Sequence, residues 1–399
     1  MKTLVLGGGV VGVTTAYFLA KAGHEVTILE EKDGLGLEAS AGNAGIIAPG
    51  HSFAWASPRA RRHAPPLAPW RRNRHPGAAR ARSAPVHVGT PFPARVHGPA
   101  GAAEHPHQAP ALPVQPGVLN ELARAEGIEY DAIAQGALYL YRDPAELEAG
   151  VKKMALLAEH GQKQEILDAN AVARLDPVFE PVKSRIAGAI RDLGDASGDS
   201  RLFTEKLGAL CRDRLGVGVK LGARIIALRS GGDRIDGVVT NDGVLTADSY
   251  VLALGVGSPI VARTVGVSLP IYPAKGYSST FPLRPGGRAP IIPGVDERWL
   301  VAWSRLGDRL RLTSTAEFAG YDWGWTPRDF NNILRFARDV FPEAVDFDRG
   351  EYRACLRPMT PDGPPSSASA ATAISSSTAA TGTWAGPWPA APPASSPIS

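Results

Sequence analysis

The sequence predicts an α/β fold with a second, α+β domain, and two observations support this. The chain opens with an apolar run, Thr3 to Leu6, followed by glycines, a helical pattern and a second apolar run, Val26 to Leu29. That order is typical of two parallel strands joined by a helix. Between about residues 269 and 363, several strand-like segments and one amphipathic helix favour a mixed sheet. A chain of 399 residues is long enough for two such domains.

The turn after the first strand contains Gly7, Gly9 and Gly12 in the pattern G-x-G-x-x-G. The first glycine allows a tight turn, the second lets a pyrophosphate approach the backbone, and the third lets helix and strand pack closely. The phosphates would then meet N–H groups at a helix N-terminus. Glu30 ends the second strand, where its carboxylate can accept a hydrogen bond from a ribose hydroxyl. The unit predicts a Rossmann-like dinucleotide-binding domain with these candidate cofactor-binding residues: Leu6, Gly7, Gly9, Val10, Val11, Gly12, Glu30 and Glu31.

A loop of small residues, LEASAGNAGIIAPG, follows the second strand. Ser40, Asn43, Ala44 and Gly45 lie close together in it, and small side chains would let the backbone approach a flat ligand. The amide of Asn43 offers both a donor and an acceptor. Farther along, a buried strand, VLALG, is expected to rejoin the nucleotide domain. Gly255 would then lie at its carboxyl end, beside the cofactor.

The net charge of +4 comes from one segment. Residues 59–116 contain nine arginines, one acid (Glu104) and six of the nine histidines, scattered among Pro, Ala and Gly. The rest of the chain has 34 basic and 38 acidic residues, a net charge of −4. Because basic and aromatic residues do not alternate on a folded face, nucleic-acid binding is not expected. Cys211 and Cys355 provide neither a disulfide framework nor a metal-ligand spacing, which suits a reducing cytoplasm.

Composition and pattern divide the chain into alternating parts of two domains. The predicted parts are the nucleotide-binding domain in 1–57 and 196–265, a second domain in 117–195 and 266–355, a return to the first domain in 356–364, and anomalous segments in 58–116 and 365–399. The last segment is rich in Ser, Ala, Pro and Thr and is expected to be disordered.

Five segments closely resemble the D-amino-acid dehydrogenase (small subunit) family of the D-amino-acid oxidase and glycine oxidase superfamily. They are LGGGVVGVTTAYFLAKAGHEVTILEE, EASAGNAGIIAPG, ASGDSRLFTEKL, IYPAKGYS and LRPMTPDG. The resemblance implies an FAD-binding domain with a mixed-sheet substrate domain. It also implies oxidative deamination of D-amino acids to 2-oxo acids and ammonia, with hydride passing from Cα to flavin N5. Electrons would then pass to a quinone or another respiratory-chain acceptor.

By position, the resemblance assigns Ser40, Asn43, Ala44 and Gly45 to the loop over the flavin, Ile225 to the adenine side, and Arg357 to the substrate carboxylate. A planar guanidinium binds a carboxylate through two parallel charge-assisted hydrogen bonds, so the chemistry of Arg357 favours the same role. His51 and Tyr277 are further candidates near the substrate amine, although both residue types more often serve packing. No stretch of 18 apolar residues occurs, so contact with a membrane would have to be peripheral or through a partner.

Two alternative functions remain open on the sequence alone. One is a glycine or sarcosine oxidase-like flavoenzyme that reduces oxygen. The other is not an enzyme but a basic, partly disordered binding protein built around residues 59–116. The first would use oxygen rather than a quinone-like dye as acceptor, and the second would bind nucleic acid in a salt-sensitive way.

The tail departs from the family, which has a stretch like NxGHGxxGWTMACG near its end. Residues 380–390, ATGTWAGPWPA, are encoded by codons that one base earlier are compatible with GHGHLGWTMAC at every position. The single tryptophan codons of Trp384 and Trp388 force two of those hidden residues, a glycine and an alanine. We interpret the tail as a frameshift, and residues 59–116 as a weaker case of the same kind. The chain as written is therefore expected to bind FAD poorly and to have little turnover.

Overall fold

The computed structural model describes residues 1–48, 114–159, 161–232, 234–360, 366–368 and 377–379. His51, residues 58–113 and most of the predicted anomalous tail lie outside these ranges. None of the helices in the described ranges combines the length and apolar character needed to cross a bilayer.

Strands and helices alternate as far as about residue 215, and most of the later strands follow one another directly. The strands are β1 (Lys2–Leu6), β2 (Glu25–Leu29), β3 (Ile46–Ile47), β4 (Ala137–Tyr141), β5 (Gln164–Leu167), β6 (Gly188–Asp192), β7 (Ala196–Ser197), β8 (Gly218–Lys220), β9 (Ile225–Gly231), β10 (Arg234–Thr240), β11 (Gly243–Leu245), β12 (Ser249–Leu252), β13 (Tyr272–Pro282), β14 (Gly294–Asp296), β15 (Val301–Leu306), β16 (Arg309–Glu317), β17 (Glu351–Met359), β18 (Ser366–Ala368) and β19 (Ser377–Ala379). The α-helices are α1 (Val10–Lys21), α2 (Ala39–Gly42), α3 (Val114–Glu126), α4 (Pro144–Glu159), α5 (Ala169–Leu175), α6 (Ser200–Leu215), α7 (Ser258–Ala262) and α8 (Asn331–Val340).

The first domain is built on a six-stranded sheet in the order β18-β19-β12-β1-β2-β8. Strand β1 pairs in parallel with both β2 and β12, as expected for a Rossmann-like unit. Helices α1 and α6 cover this sheet, and their apolar faces meet around residues such as Val13, Phe203 and Leu207. Asp199 starts α6 because its carboxylate accepts from the N–H groups of Arg201 and Leu202. The predicted α/β fold is confirmed.

The second domain is built on an eight-stranded mixed sheet in the order β17-β13-β16-β15-β14-β4-β6-β5. Helix α8 packs on one face through Ile333, Phe336 and Val340, beside the buried indole of Trp303. The other face of β15 and β16 turns toward the first domain, where the hydroxyl of Ser304 donates to the carbonyl of Ala44. The site lies on that second face.

Two sequence expectations differ from the structure. The predicted domain boundary at residue 355 falls inside β17, because the strand stays paired with β13 as far as Met359. The tail contains strands β18 and β19, although its composition favoured disorder. Strand β19 pairs with β12 through Ser377 and Leu252, so backbone hydrogen bonding at a sheet edge organises residues of weak strand propensity.

Candidate functional site

The glycine turn leaves no room for side chains at two of its positions. Gly7 has a φ of +111°, and a Cβ there would lie 2.4 Å from the carbonyl oxygen of Ala253. A Cβ on Gly12 would lie 1.9 Å from the carbonyl oxygen of Gly7. Gly9 differs, since a Cβ there would meet only the Oγ of Ser40, at 3.5 Å. The turn is therefore tightly packed against β12 and α1, while the backbone at Gly9 remains open to approach.

Helix α1 begins directly after Gly9, which supplies no side-chain cap. Instead, the hydroxyl of Ser40 accepts a hydrogen bond of 3.0 Å from the N–H of Val10. Val10 and Val11 are partly buried in the first turn, and the helix has no acidic residue there. The positive end of the helix dipole therefore lies beside the glycine turn, where it favours an anion.

The carboxylate of Glu30 lies beside the glycine turn, within hydrogen-bond distance of Gly8. Its carboxylate accepts hydrogen bonds from the N–H of Gly8 at 2.7 Å and from the N–H of Lys32 at 2.8 Å. Two backbone bonds fix the orientation of the carboxylate, which has capacity for further donors such as ribose hydroxyls. Glu31 is exposed. Ile225 lies near Glu30 in the chain's path, because the N–H of Ala223, two residues before it, donates to the carbonyl of Glu30. The side chain of Ile225 is partly buried.

The loop after β2 is held by its own hydrogen bonds. The amide of Asn43 accepts from the N–H of Gly45 at 2.9 Å and donates to the carbonyl of Ser40 at 3.2 Å. Gly45 has a φ of +70°, and its carbonyl accepts from the N–H of Gly198. Asn43 therefore shapes the loop, whereas the sequence pattern suggested that its amide would face a ligand.

Arg357 lies where the two domains meet. It projects from β17 on the same face as Cys355, two residues earlier, whose Sγ would be 2.4 Å from a Cβ on Gly42. The residue after it, Pro358, lies beside Gly255, with 3.8 Å between a Cβ built on that glycine and the proline Cγ. The structure therefore brings the segment of β17 that contains Arg357 next to α2, through Cys355, and next to the residues that follow β12, through Pro358.

The guanidinium of Arg357 lies against bare backbone. A Cβ on Gly276 would be 2.5 Å from its Nη2 and 2.7 Å from its Cζ. Its Nη1 donates a hydrogen bond of 2.9 Å to the carbonyl oxygen of Thr315. Burial lowers the pKa of Arg357 below its usual range, although the group stays cationic at any ordinary pH. A partly desolvated cation with five donors is suited to binding a carboxylate.

Tyr277 is separated from Arg357 by the sheet itself. In β13 it alternates with Gly276, and its ring packs on Phe330 in the core under α8. Its hydroxyl donates to Glu317 at 2.5 Å, and burial together with that bond raises the pKa of Tyr277. The structure therefore does not bring Tyr277 to the face that contains Arg357. His51 lies outside the described residues.

Three residues that surround Arg357 or hold the loop were not predicted from the sequence: Gly276, Thr315 and Ser304. A glycine inside the strand-like segment YPAKGYSST was a usable signal, because such glycines often mark a close approach of other groups. Thr315 gave no signal, since a β-branched residue in a strand pattern predicts ordinary extended backbone.

Comparison with known proteins agrees with this geometry. The family model described as "FAD dependent oxidoreductase" matches residues 2–388. A relative named "D-amino acid dehydrogenase 2", from Mesorhizobium japonicum, is 38% identical over 386 residues, covering 92% of this chain and 88% of its own length. "D-amino acid dehydrogenase" from Paramagnetospirillum magneticum is 39% identical, covering 92% of this chain and 86% of its own.

Solved structures share the fold at low identity. Glycine oxidase from Bacillus cereus has a TM-score of 0.68 and 19% identity, covering 96% of this chain and 89% of its own. L-proline dehydrogenase from P. horikoshii has a TM-score of 0.68 and 15% identity, covering 94% and 87%. The family match and the two relatives indicate an oxidoreductase, which counts against a binding protein built around the basic segment. The glycine turn, the two-domain architecture and these matches agree, and the chain belongs to the family of FAD-dependent oxidoreductases.

Proposed function

We propose that this protein oxidatively deaminates D-amino acids to 2-oxo acids and ammonia. The observation that supports the proposal most directly is the position of Arg357 on the segment of β17 that contacts α2 through Cys355 and the residues after β12 through Pro358. Two relatives at 38% and 39% identity are named D-amino acid dehydrogenases, which agrees with a carboxylate-binding site beside a flavin.

The residues around the glycine turn fit FAD. The open backbone at Gly9 and the start of α1 would hold the pyrophosphate, and Glu30 would hold the ribose. Ser40, Asn43, Ala44 and Gly45 form the loop that we assign to the flavin side, and Ile225 lies toward the adenine side. Bound FAD would supply the two-electron oxidation, accepting the hydride that leaves the substrate Cα.

Arg357 would bind the substrate carboxylate and thereby orient the Cα–H bond. With the carboxylate held by two parallel hydrogen bonds and the Cα–H bond directed at the flavin, the two enantiomers would place their amine and side chain in exchanged positions, so the walls of the site can select one of them. No side chain is required to remove a proton if the amine enters neutral, since its lone pair assists the loss of hydride. Water then hydrolyses the imino acid to the 2-oxo acid and ammonia.

We propose a quinone or another respiratory-chain carrier as the electron acceptor, with the protein in the cytoplasm and any membrane contact peripheral. The names of the relatives favour this choice, since they are dehydrogenases rather than oxidases. A glycine or sarcosine oxidase-like activity is the second candidate, and the shared fold with glycine oxidase supports it only at the level of architecture.

The test is a comparison of substrates and acceptors in FAD-reconstituted protein. We expect D-alanine to reduce a quinone-like dye at a low but measurable rate, as the altered tail allows, L-alanine to be inert, and oxygen to support still less turnover. Robust hydrogen peroxide formation with glycine would favour the second candidate. Absence of turnover with every amino acid, in protein with a full complement of FAD, would refute both.

A further inference from the structure

A β-bulge lies directly beside the guanidinium of Arg357. Along the pair β13 and β16, Lys275 stands opposite Glu317 and Tyr277 opposite Ser314. Two residues of β16, Thr315 and Ala316, therefore face the single residue Gly276. Bulges of this kind redirect a strand locally and are frequent next to active sites.

The bulge contains an unusual backbone conformation. Thr315 has a φ of +71°, in the left-handed region that β-branched residues rarely adopt. Such a conformation persists only where its surroundings enforce it, and it is common where function needs a particular geometry. The carbonyl of this residue is the one that accepts the hydrogen bond from Nη1 of Arg357.

The residue opposite the bulge, Gly276, also contacts the guanidinium of Arg357 closely. Gly276 pairs with Cys355, and Arg357 projects from the same face of β17, so the guanidinium lies over the glycine. A Cβ there would be 2.5 to 3.0 Å from Nη2, Cζ and Nη1. The guanidinium is the end of a flexible side chain, so an alanine at 276 would displace it at small cost to the fold.

We infer that Thr315 and Gly276 are positioning residues, which together form a seat that fixes the plane of the Arg357 guanidinium for carboxylate recognition. This inference rests on the proposed function, in which Arg357 binds the substrate carboxylate. The left-handed conformation of Thr315 directs its carbonyl at Nη1 of Arg357. Gly276 has no side chain, so the guanidinium can lie flat over the strand there. A guanidinium held in this way loses less freedom on binding a carboxylate than one that must first be ordered.

The test compares D-alanine with D-alaninamide, which lacks the carboxylate. In Gly276→Ala, we expect kcat/KM for D-alanine to fall by about tenfold or more, as for a small misplacement of a binding group, and that for D-alaninamide to stay within about twofold. Thr315→Pro forces φ near −65° and should lower the ratio of kcat/KM for D-alanine to kcat/KM for D-alaninamide. Thr315→Gly tolerates a positive φ and should preserve that ratio. Gly231→Ala is the matched control, because its Cβ would crowd the carboxylate of Asp236 at 2.8 Å, in the separate sheet of β9 to β11.

Arg357→Gln separates the inference from the function on which it rests. If this variant leaves the ratio of D-alanine to D-alaninamide unchanged, the proposed carboxylate role fails. If it lowers the ratio but Gly276→Ala and Thr315→Pro do not, the seat alone is overturned.

A readout that needs no flavin completes the test. Urea unfolding of the apo forms of wild type, Gly276→Ala, Arg357→Gln and the double variant gives the coupling between the two positions. We expect the cost of the alanine to disappear when Arg357 is absent, and a Gly276→Ala protein that fails to fold should be rescued by the second change. Equal costs in both backgrounds, or no rescue, would overturn the inference.

Discussion

The hydroxyl of Ser40 accepts a hydrogen bond of 3.0 Å from the backbone N–H of Val10. The two residues are thirty positions apart in sequence, and their hydrogen bond joins the loop after β2 to the first turn of α1. The same loop contacts β17 through Gly42 and Cys355, and it meets β15 through Ala44 and Ser304. One short segment thus links the expected phosphate site to the strand that contains Arg357.

Ser40→Ala should destabilise the apo protein by about 1–3 kcal/mol, since it leaves the N–H of Val10 without its partner. Ser197→Ala is the control, because the buried hydroxyl of Ser197 has no hydrogen-bond partner among the described residues. Urea unfolding of both variants gives the comparison. Equal losses at the two serines would show that the Ser40 bond contributes nothing.

Gly12→Ala should lower both the stability of the apo protein and its affinity for FAD, since the new Cβ would meet backbone at 1.9 Å. Gly9→Ala should leave apo stability nearly unchanged, because its nearest neighbour lies at 3.5 Å, and should weaken FAD binding alone. Thermal unfolding and flavin-fluorescence titration separate the two effects. Normal FAD affinity in Gly9→Ala would contradict the pyrophosphate assignment.

Arg357→Gln should raise KM for D-alanine and lower kcat/KM by an amount equivalent to about 2–5 kcal/mol, the usual cost of removing one member of a charged hydrogen-bonded pair. Arg357→Lys should recover only part of the loss, because an ammonium cannot form two parallel bonds to a carboxylate. Steady-state kinetics at fixed flavin content measure both. Full activity in the lysine variant would show that bidentate geometry is unimportant.

Glu126→Gln should reduce stability near neutral pH but not in acid. The hydroxyl of Tyr17 donates to Glu126 at 2.5 Å, and this bond, with Lys21 and Arg214, lowers the pKa of the carboxyl from its ordinary value of 4.5. A depressed pKa contributes stability above the unfolded value, and that stability is lost as the pH falls through the folded pKa. The difference between wild type and variant, measured by urea unfolding, should therefore shrink below about pH 4.5.

Glu148→Gln is the control for this pH series. Glu148 pairs with Lys152 on an exposed helix surface, where such pairs contribute about 0.3–0.5 kcal/mol. A pH dependence of equal size at both glutamates would argue against a special role for the Tyr17–Glu126 pair.

Restoring the hidden reading frame should strengthen FAD binding. A variant with GHGHLGWTMAC in place of residues 380–390 would supply the glycine turn and helix start that the family has near its end. Equilibrium titration should show tighter FAD binding than in the chain as written, and a scrambled segment of the same composition should not. Resequencing the gene around codons 58 and 365 tests the frameshift itself. Stoichiometric FAD in the unaltered chain, with robust D-alanine turnover, would refute the expectation.

The sequence by itself determined the glycine turn, the acid at the end of β2, the parallel strands and the family. These features depend on local sterics and on short-range periodicity, which a linear pattern expresses directly: a Cβ at Gly12 is excluded whatever surrounds it. Arg357 was also found in this way, through the family segment that contains it.

Only the tertiary structure decided what surrounds Arg357. The bulge at Thr315, the bare backbone of Gly276 and the contact of Cys355 with Gly42 join segments that lie as far as 313 residues apart. Tyr277, the residue after Gly276 in an apparently uniform strand, is turned by strand alternation to the face opposite Arg357, where its hydroxyl donates to Glu317. Strand register depends on pairing partners distant in sequence, and for that reason no local pattern predicts which face a side chain takes.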